Sequence, residues 1–275
     1  AVQLMTSLAV RTRFRRSPET AYETLRRLGL TANLKLSLDA GDRQSYATGQ
    51  SWLDRSGAGY DFFLGADVAA TATDPTFNGP AGGKSYANFF SFDGGDYFTY
   101  DTTNEAWMEN LHKNNALYSS AAWMWFGSID AFQGIFGDKG NVAVDIGTTL
   151  YVSDTNRVIC ETRNALGGLV DFNQTAANTI AAGRWYFIGY SVDEAAGANS
   201  AVFFVNGTKT TASATYTSPD TLDAAFTMQI GTFGNAVSPP SSGSRMAMFC
   251  MWEQRALTVS EMIAIYQATR GRFGV

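Results

Sequence analysis

Leu34-Lys35-Leu36-Ser37-Leu38-Asp39 alternates apolar and polar side chains, and that rhythm decides the fold. Successive side chains on a strand point to opposite faces, so a period of two predicts a half-buried strand. Immediately upstream the rhythm is helical. Ser17 reads as an N-cap, Pro18 as the first helical residue and Glu19 as first-turn acid, with Tyr22, Leu25 and Leu28 forming a stripe that Gly29 ends. Downstream, strand signals prevail. Asn88-Phe89-Phe90-Ser91-Phe92 and Tyr97-Phe98-Thr99-Tyr100 flank Asp93-Gly94-Gly95-Asp96, which reads as a hairpin, and Asn206-Gly207 after Val202–Val205 signals a tight turn. Leu117–Phe126, Gly134–Phe136, Val142–Val152, Val158–Thr162, Trp185–Val192, Thr227–Gly231 and Arg245–Trp252 are further strands. A second helix closes the chain, capped by Thr258 or Ser260, with Glu261 in its first turn, Met262, Ile265 and Tyr266 on one face, and Arg270 and Arg272 near its negative end.

Many strands and two helices predict an all-β sandwich of two antiparallel sheets with Leu36, Phe92, Trp123, Trp185, Phe204 and Ile230 in its core. Composition agrees: 45% of the 275 residues are hydrophobic and 13% aromatic, with 27 glycines for turns. The net charge of −5 speaks against nucleic acid as a partner. It is unevenly spread. Six arginines (Arg11, Arg13, Arg15, Arg16, Arg26, Arg27) against Glu19 and Glu23 give residues 1–30 a charge of +4, leaving −9 on the rest. Residues 1–32 therefore read as a basic arm and 33–275 as the sandwich. The arm's short helix needs a surface to order it, and a partner subunit is the expected one, docked through Arg11, Arg13, Arg15 and Arg16. Two cysteines, Cys160 and Cys250, make no disulfide framework and read as small buried hydrophobes. No run is long and apolar enough to span a bilayer, and Ala1 to Val10 lacks the shape of a secretory signal.

Several pieces, in order, resemble a known family. Leu34 to Asp42, Ser45-Tyr46 and Trp52-Leu53-Asp54-Arg55-Ser56-Gly57-Ala58-Gly59 are similar to the opening of laminin G-like modules. Phe92-Asp93-Gly94-Gly95-Asp96-Tyr97 resembles their next hairpin. Gly183-Arg184-Trp185-Tyr186 with Phe203-Phe204-Val205-Asn206-Gly207 resembles their central strand pair, and Arg255 to Glu261 the start of their terminal helix. The resemblance runs from about residue 33 to 270. It implies a concanavalin A-like jelly roll that binds sugars or proteins, sometimes with calcium at the sheet rim. Modules with this opening are common in tailed phages and phage-like particles, which implies a virion or extracellular setting.

Glycanases on such a fold need two carboxylates about 5 Å apart. Their Glu-x-Asp-x-x-Glu strand pattern is absent, and Asp193-Glu194, being adjacent, face opposite sides. His112, the one histidine, has no Ser or Cys partner in sight and reads as a surface residue. Calcium needs gathered oxygen ligands, and Asp138, Asn141, Asp154 and Asn156 sit at ends of consecutive strands where they could converge. Sugar binding needs an exposed ring beside amides. Trp107, between Asn104 and Asn110, is the preferred platform over Tyr118, Trp123, Trp125 and Tyr151, and Asn235 opens an exposed loop, Asn235 to Ser244, of the kind that carries recognition. The expected function is non-catalytic recognition of a cell-surface glycan or receptor. A decoration protein contacting neighbouring subunits, as a homo-oligomer or with other particle proteins, is the alternative, and a polysaccharide-degrading enzyme a weaker one.

Overall fold

A computed structural model describes residues 19–79, 87–142, 144–165, 169–196, 201–211 and 221–275. Strands, numbered in chain order, form two sheets whose strand pairs are all antiparallel. The first runs β14 (Thr208–Thr211), β13 (Val202–Val205), β12 (Trp185–Asp193), β7 (Leu117–Trp125), β16 (Arg245–Glu253), β5 (Phe89–Ser91) and β4 (Thr76–Asn78), with β1 (Leu34–Asp39) also on β16. The second runs β11 (Leu169–Gln174), β10 (Val158–Arg163), β9 (Gly147–Val152), β8 (Gln133–Gly137), β15 (Gln229–Ile230), β6 (Phe98–Tyr100), β3 (Phe62–Leu64) and β2 (Ser51–Trp52). The all-β sandwich expected from the sequence is what forms.

Leu36, Leu38, Phe90, Phe92, Phe98, Phe136 and Ile230 fill the space between the sheets. A second apolar layer lies on the outer face of the first sheet. There α1 (Ala21–Arg27) and α2 (Val259–Thr269) lay Ala21, Leu25, Met262 and Ile265 over Trp123, Trp185, Phe187 and Phe204. Trp123 anchors this layer: its indole N–H donates to Thr269 at 2.8 Å and its ring packs on Phe273 with centroids 4.4 Å apart. The six core residues named from sequence are all buried, three of them under the helices rather than between the sheets.

The helices change the meaning of the opening strand. Leu36 and Leu38 face the inter-sheet core, but Ser37 and Asp39 face the helices and are buried too, so β1 is not half-buried. Asp39 accepts from the backbone of Ala21 at 2.7 Å and Gly41 at 2.8 Å, and from both Arg272 Nη atoms at 2.9 and 2.6 Å. That fork ties both terminal segments to one strand. The arm's helix thus takes its order from its own sandwich. Its N-cap is Thr20, in a capping box with Glu23, not Ser17, and Gly29 ends it at φ +72°. Ser17, Pro18 and the four arginines assigned to docking lie outside the described residues.

The aromatic stretch at 88–100 is not a hairpin. β5 pairs with β4 and β16 in one sheet, β6 with β3 and β15 in the other. Asp93-Gly94-Gly95-Asp96 crosses between sheets, held by the Asp93 amide on Asp96 Oδ2 at 2.8 Å. Phe90 and Phe98 consequently meet face-to-edge across the core, centroids 5.1 Å apart, instead of lying side by side. Asn206-Gly207 does make its hairpin, with φ of 51° and 82° at the two turn residues. Cys160 and Cys250 are free thiols on opposite sides of the layers, Cys160 between the sheets and Cys250 under the helices.

Candidate functional site

The expected sugar platform is not one. Trp107 is 4% exposed and packs in the inter-sheet core against Tyr60 at 5.6 Å. Asn104 spends its amide on the backbone, donating to Phe226 at 2.9 Å and accepting from Met228 at 2.8 Å. Asn110 is exposed, but the Trp107 and Tyr118 rings beside it are buried and offer no open platform. His112 is buried, not on the surface, with Nε2 2.9 Å from the Leu222 carbonyl oxygen. Contacts distant in sequence decide each case: the inter-sheet core covers Trp107, and the segment 221–226 reaches Asn104, Glu109 and His112.

The expected calcium set also separates. Asp138 follows β8 and faces the start of β9, whereas Asp154 and Asn156 follow the far end of β9, five residue steps or about 17 Å away. Asp138 is fully buried, its Oδ1 accepting from Thr148 N at 2.6 Å, and burial pushes its pKa well above the ordinary 3.8. Asn156 shapes a turn at φ 61°. Among the described residues no group of three or more His, Cys, Asp or Glu gathers for a metal.

The side chains that do converge lie on the outer face of the second sheet. Along β9, Leu150 and Val152 enter the core while Thr149 and Tyr151 point outward; along β10, Ile159, Glu161 and Arg163 do the same. Register puts Tyr151 beside Ile159 and Thr149 beside Glu161. Glycines set the shape. Gly134 lies opposite Tyr151, and a Cβ there would come within 2.5 Å of Thr232 Cα, so only glycine lets the loop after β15 fold back over β8. The Gly134 N–H holds that loop through Ser238 O at 2.8 Å. Asn235 to Ser244 is accordingly packed, with Ser241 N on Gln133 Oε1 at 2.9 Å, rather than an exposed loop. Ala236 and Ser238 hold φ near +60°, a conformation that side chains rarely adopt and that the packing must enforce.

A recess of about 230 Å³ results, between β9–β10 and the loop. Tyr151 forms the aromatic floor, with Phe233 at 5.2 Å and Phe132 at 5.6 Å between centroids, and Phe132 is 47% exposed at the rim. Glu161 is held on three sides: Oε1 lies 2.6 Å from Arg163 Nε and 3.3 Å from Lys139 Nζ, and Oε2 accepts from the Tyr151 hydroxyl at 3.4 Å. Lys139 is almost fully buried and also donates to Gly140 O at 2.6 Å. Burial lowers its pKa, while burial and Glu161 push the Tyr151 phenol up, keeping it a donor. Asn141, which lines the recess, accepts through Oδ1 from Asn235 Nδ2 at 3.2 Å. Two residues assigned from sequence to different roles thus meet at one site. Thr149 Oγ1, on the recess wall, and Asn235 Oδ1, beside it, are among the buried side-chain atoms that have no hydrogen-bond partner among the described residues. The signal in the sequence was Glu161 and Arg163 alternating with core residues inside an apolar strand.

No family model and no curated protein matches the chain. Solved structures do. The chain is similar to a botulinum neurotoxin type G receptor-binding domain, with 14% identity and TM-score 0.54 over 86% of this chain and 51% of that one. A botulinum neurotoxin type C structure, described as interacting with two ganglioside molecules, aligns at 11% identity and TM-score 0.59 over 88% and 53%. The binding domain of botulinum neurotoxin DC in complex with SialylT aligns at 12% and 0.55 over 87% and 52%. The chain shares their sandwich fold. It spans about half the length of those chains, and at such identity the likeness of the sandwiches concerns the fold alone.

Proposed function

We propose that the chain is a non-catalytic glycan-binding module and that the recess over β9–β10 is its sugar site. One observation carries this: ring faces at Tyr151, Phe233 and Phe132 sit against a fixed array of hydrogen-bonding groups that includes the buried Thr149 hydroxyl, whose oxygen has no protein partner among the described residues. A pyranose has one apolar face for the rings and a rim of hydroxyls for the polar groups. Among the described residues Glu161 is the one carboxylate lining the recess, and two cations and a phenol hold it, an arrangement unlike the free carboxylate pair of a glycosidase. The fold is compatible, being shared with domains whose structures are described with gangliosides or SialylT. A virion or other particle setting is part of the proposal on the strength of the motif resemblance alone, and docking through the basic arm on the strength of its charge alone.

A glycan microarray probed with the purified chain tests the reading. Specific signals that Tyr151→Ala and Phe132→Ala abolish, with melting temperature kept for Phe132→Ala, support it. A blank array, or signals indifferent to both changes, overturns it.

A further inference from the structure

We infer that the protonation state of Asp96 governs the wall of the recess, an inference that rests on the glycan-binding reading and adds a regulator to it. Asp96 is buried in the Asp93–Asp96 turn that crosses between the sheets, where its Oδ2 accepts from the Asp93 amide at 2.8 Å. Like charges act on it from two elements, Asp93 in its own turn and Asp74 in the loop between β3 and β4. That loop also holds the turn, Thr73 O accepting from the Tyr97 amide at 3.2 Å. The other neighbours bring no charge. Ser242 lies against Gly94 within a run of serines and one glycine, and Gly231 lies against Phe92 and Tyr97.

The turn is joined to the recess by a continuous path of hydrogen bonds. Phe92, the residue before the turn, donates to Ser244 O and accepts from the Gly243 amide, both at 2.9 Å. Ser244 N donates to Ser241 O at 3.0 Å, and Ser241 N to Gln133 Oε1 at 2.9 Å. Gln133 adjoins Gly134, whose N–H holds Ser238 O at 2.8 Å and with it the loop that carries Phe233. Burial first, and then the neighbouring carboxylates, raise Asp96 to about 7 from an ordinary 3.8. Below that range the closed turn holds a neutral acid. Above it a third negative charge enters a buried turn, and hydration of that charge favours opening. Opening slackens the path and draws the wall off Tyr151, so the recess is formed in acid and weakened above about pH 7.

The test takes two readouts of the full chain at about pH 5.5 and about pH 8.5, on either side of the Asp96 transition. Amide exchange of the free chain, corrected for the intrinsic rate at each pH, follows the path; a glycan microarray follows the site. Protection of the Asp93, Gly243 and Gly134 amides should fall about tenfold at the higher pH, and array signals should fall with it. Asp96→Asn, neutral at both pH values, should keep protection and signals level. If Asp96→Asn does not fold, Asp93→Asn is the second variant: with one neighbouring charge removed, the midpoint of both changes should move to lower pH. Three results overturn the regulation and leave the glycan reading standing: equal signals and protection at both pH values, a change confined to the turn, or the same pH dependence in the variant. An array blank at both pH values sinks the glycan reading, and the regulation with it.

Discussion

Gly134→Ala isolates the contact that builds the recess. The glycine is not in the left-handed region, so the change brings no backbone strain and acts by sterics alone. An ideal Cβ would lie 2.5 Å from Thr232 Cα and 2.6 Å from Thr232 O, both backbone atoms that no rotamer change can move aside. The loop must lift by on the order of 1 Å to reach ordinary contact distance near 3.5–4 Å. Lifting it strains the Gly134–Ser238 hydrogen bond of 2.8 Å and draws Phe233 off Tyr151. Overpacking of this kind costs about 1–3 kcal/mol. At about 2–4 °C per kcal/mol for a chain of this size, the melting temperature should fall by on the order of 5 °C. Ligand affinity should fall as well, since the recess loses a wall. Gly183→Ala is the control: φ is +80° with nothing within 4 Å, so it should cost about 1 kcal/mol of backbone strain and leave binding untouched. Urea unfolding and calorimetry measure both. A Gly134→Ala protein with unchanged stability and unchanged affinity would refute the idea that this contact shapes the site.

Three other outcomes are expected. Arg272→Ala strips the buried Asp39 of its fork and should cost about 3–5 kcal/mol in urea unfolding, whereas a loss below about 1 kcal/mol would mean that the two backbone donors suffice. Trp123→Ala should cost about 3–5 kcal/mol, because its ring joins the sheet to the helix layer; a smaller loss would show that layer to be dispensable. Asp96 is raised to about 7, first by burial and then by the charges of Asp93 and Asp74, against an ordinary 3.8. The folded state therefore binds its proton more tightly than the unfolded chain, so its contribution to stability is full below about pH 4 and is lost as pH rises through 7. Melting temperature should fall from pH 5 to pH 8 in the natural chain and fall less in Asp96→Asn; identical pH profiles would contradict this.

Local chemistry made much of the fold legible. Asn206-Gly207 specifies its turn through backbone angles that those residues tolerate, and Thr258 with Glu261 forms the capping box the sequence offers. Where the same chemistry misled, tertiary partners had decided. Asp93-Gly94-Gly95-Asp96 has hairpin composition, but each flanking aromatic strand finds better neighbours in a different sheet. Lys35, Ser37 and Asp39 alternate as if solvated, and chain outside the strand buries the last two: Cys250 lies against Ser37, and Ala21 of α1 and Arg272, 233 residues away, engage Asp39. The site was the least legible part. Its members come from residues 132–141, 149–163 and 233–238, and only the register of β8, β9 and β10 with the returning loop brings them together. Tyr151, Asn141 and Asn235 were each singled out by type, but no spacing in the chain says that the first two share one recess and that Asn235 holds Asn141. Trp107 failed as a platform because a large ring in a polar segment can still be covered by distant chain.

The most direct test is to map where a sugar sits. Backbone amide shifts of the labelled chain would be followed by magnetic resonance while methyl β-glucuronide or sialyllactose is added. Binding in the recess requires the largest shifts at Thr149, Tyr151, Glu161 and Phe233, saturating together and absent in Tyr151→Ala. Saturable shifts centred instead on Trp107 and Asn110, or anywhere off the outer face of β9 and β10, would contradict the site at the centre of this reading.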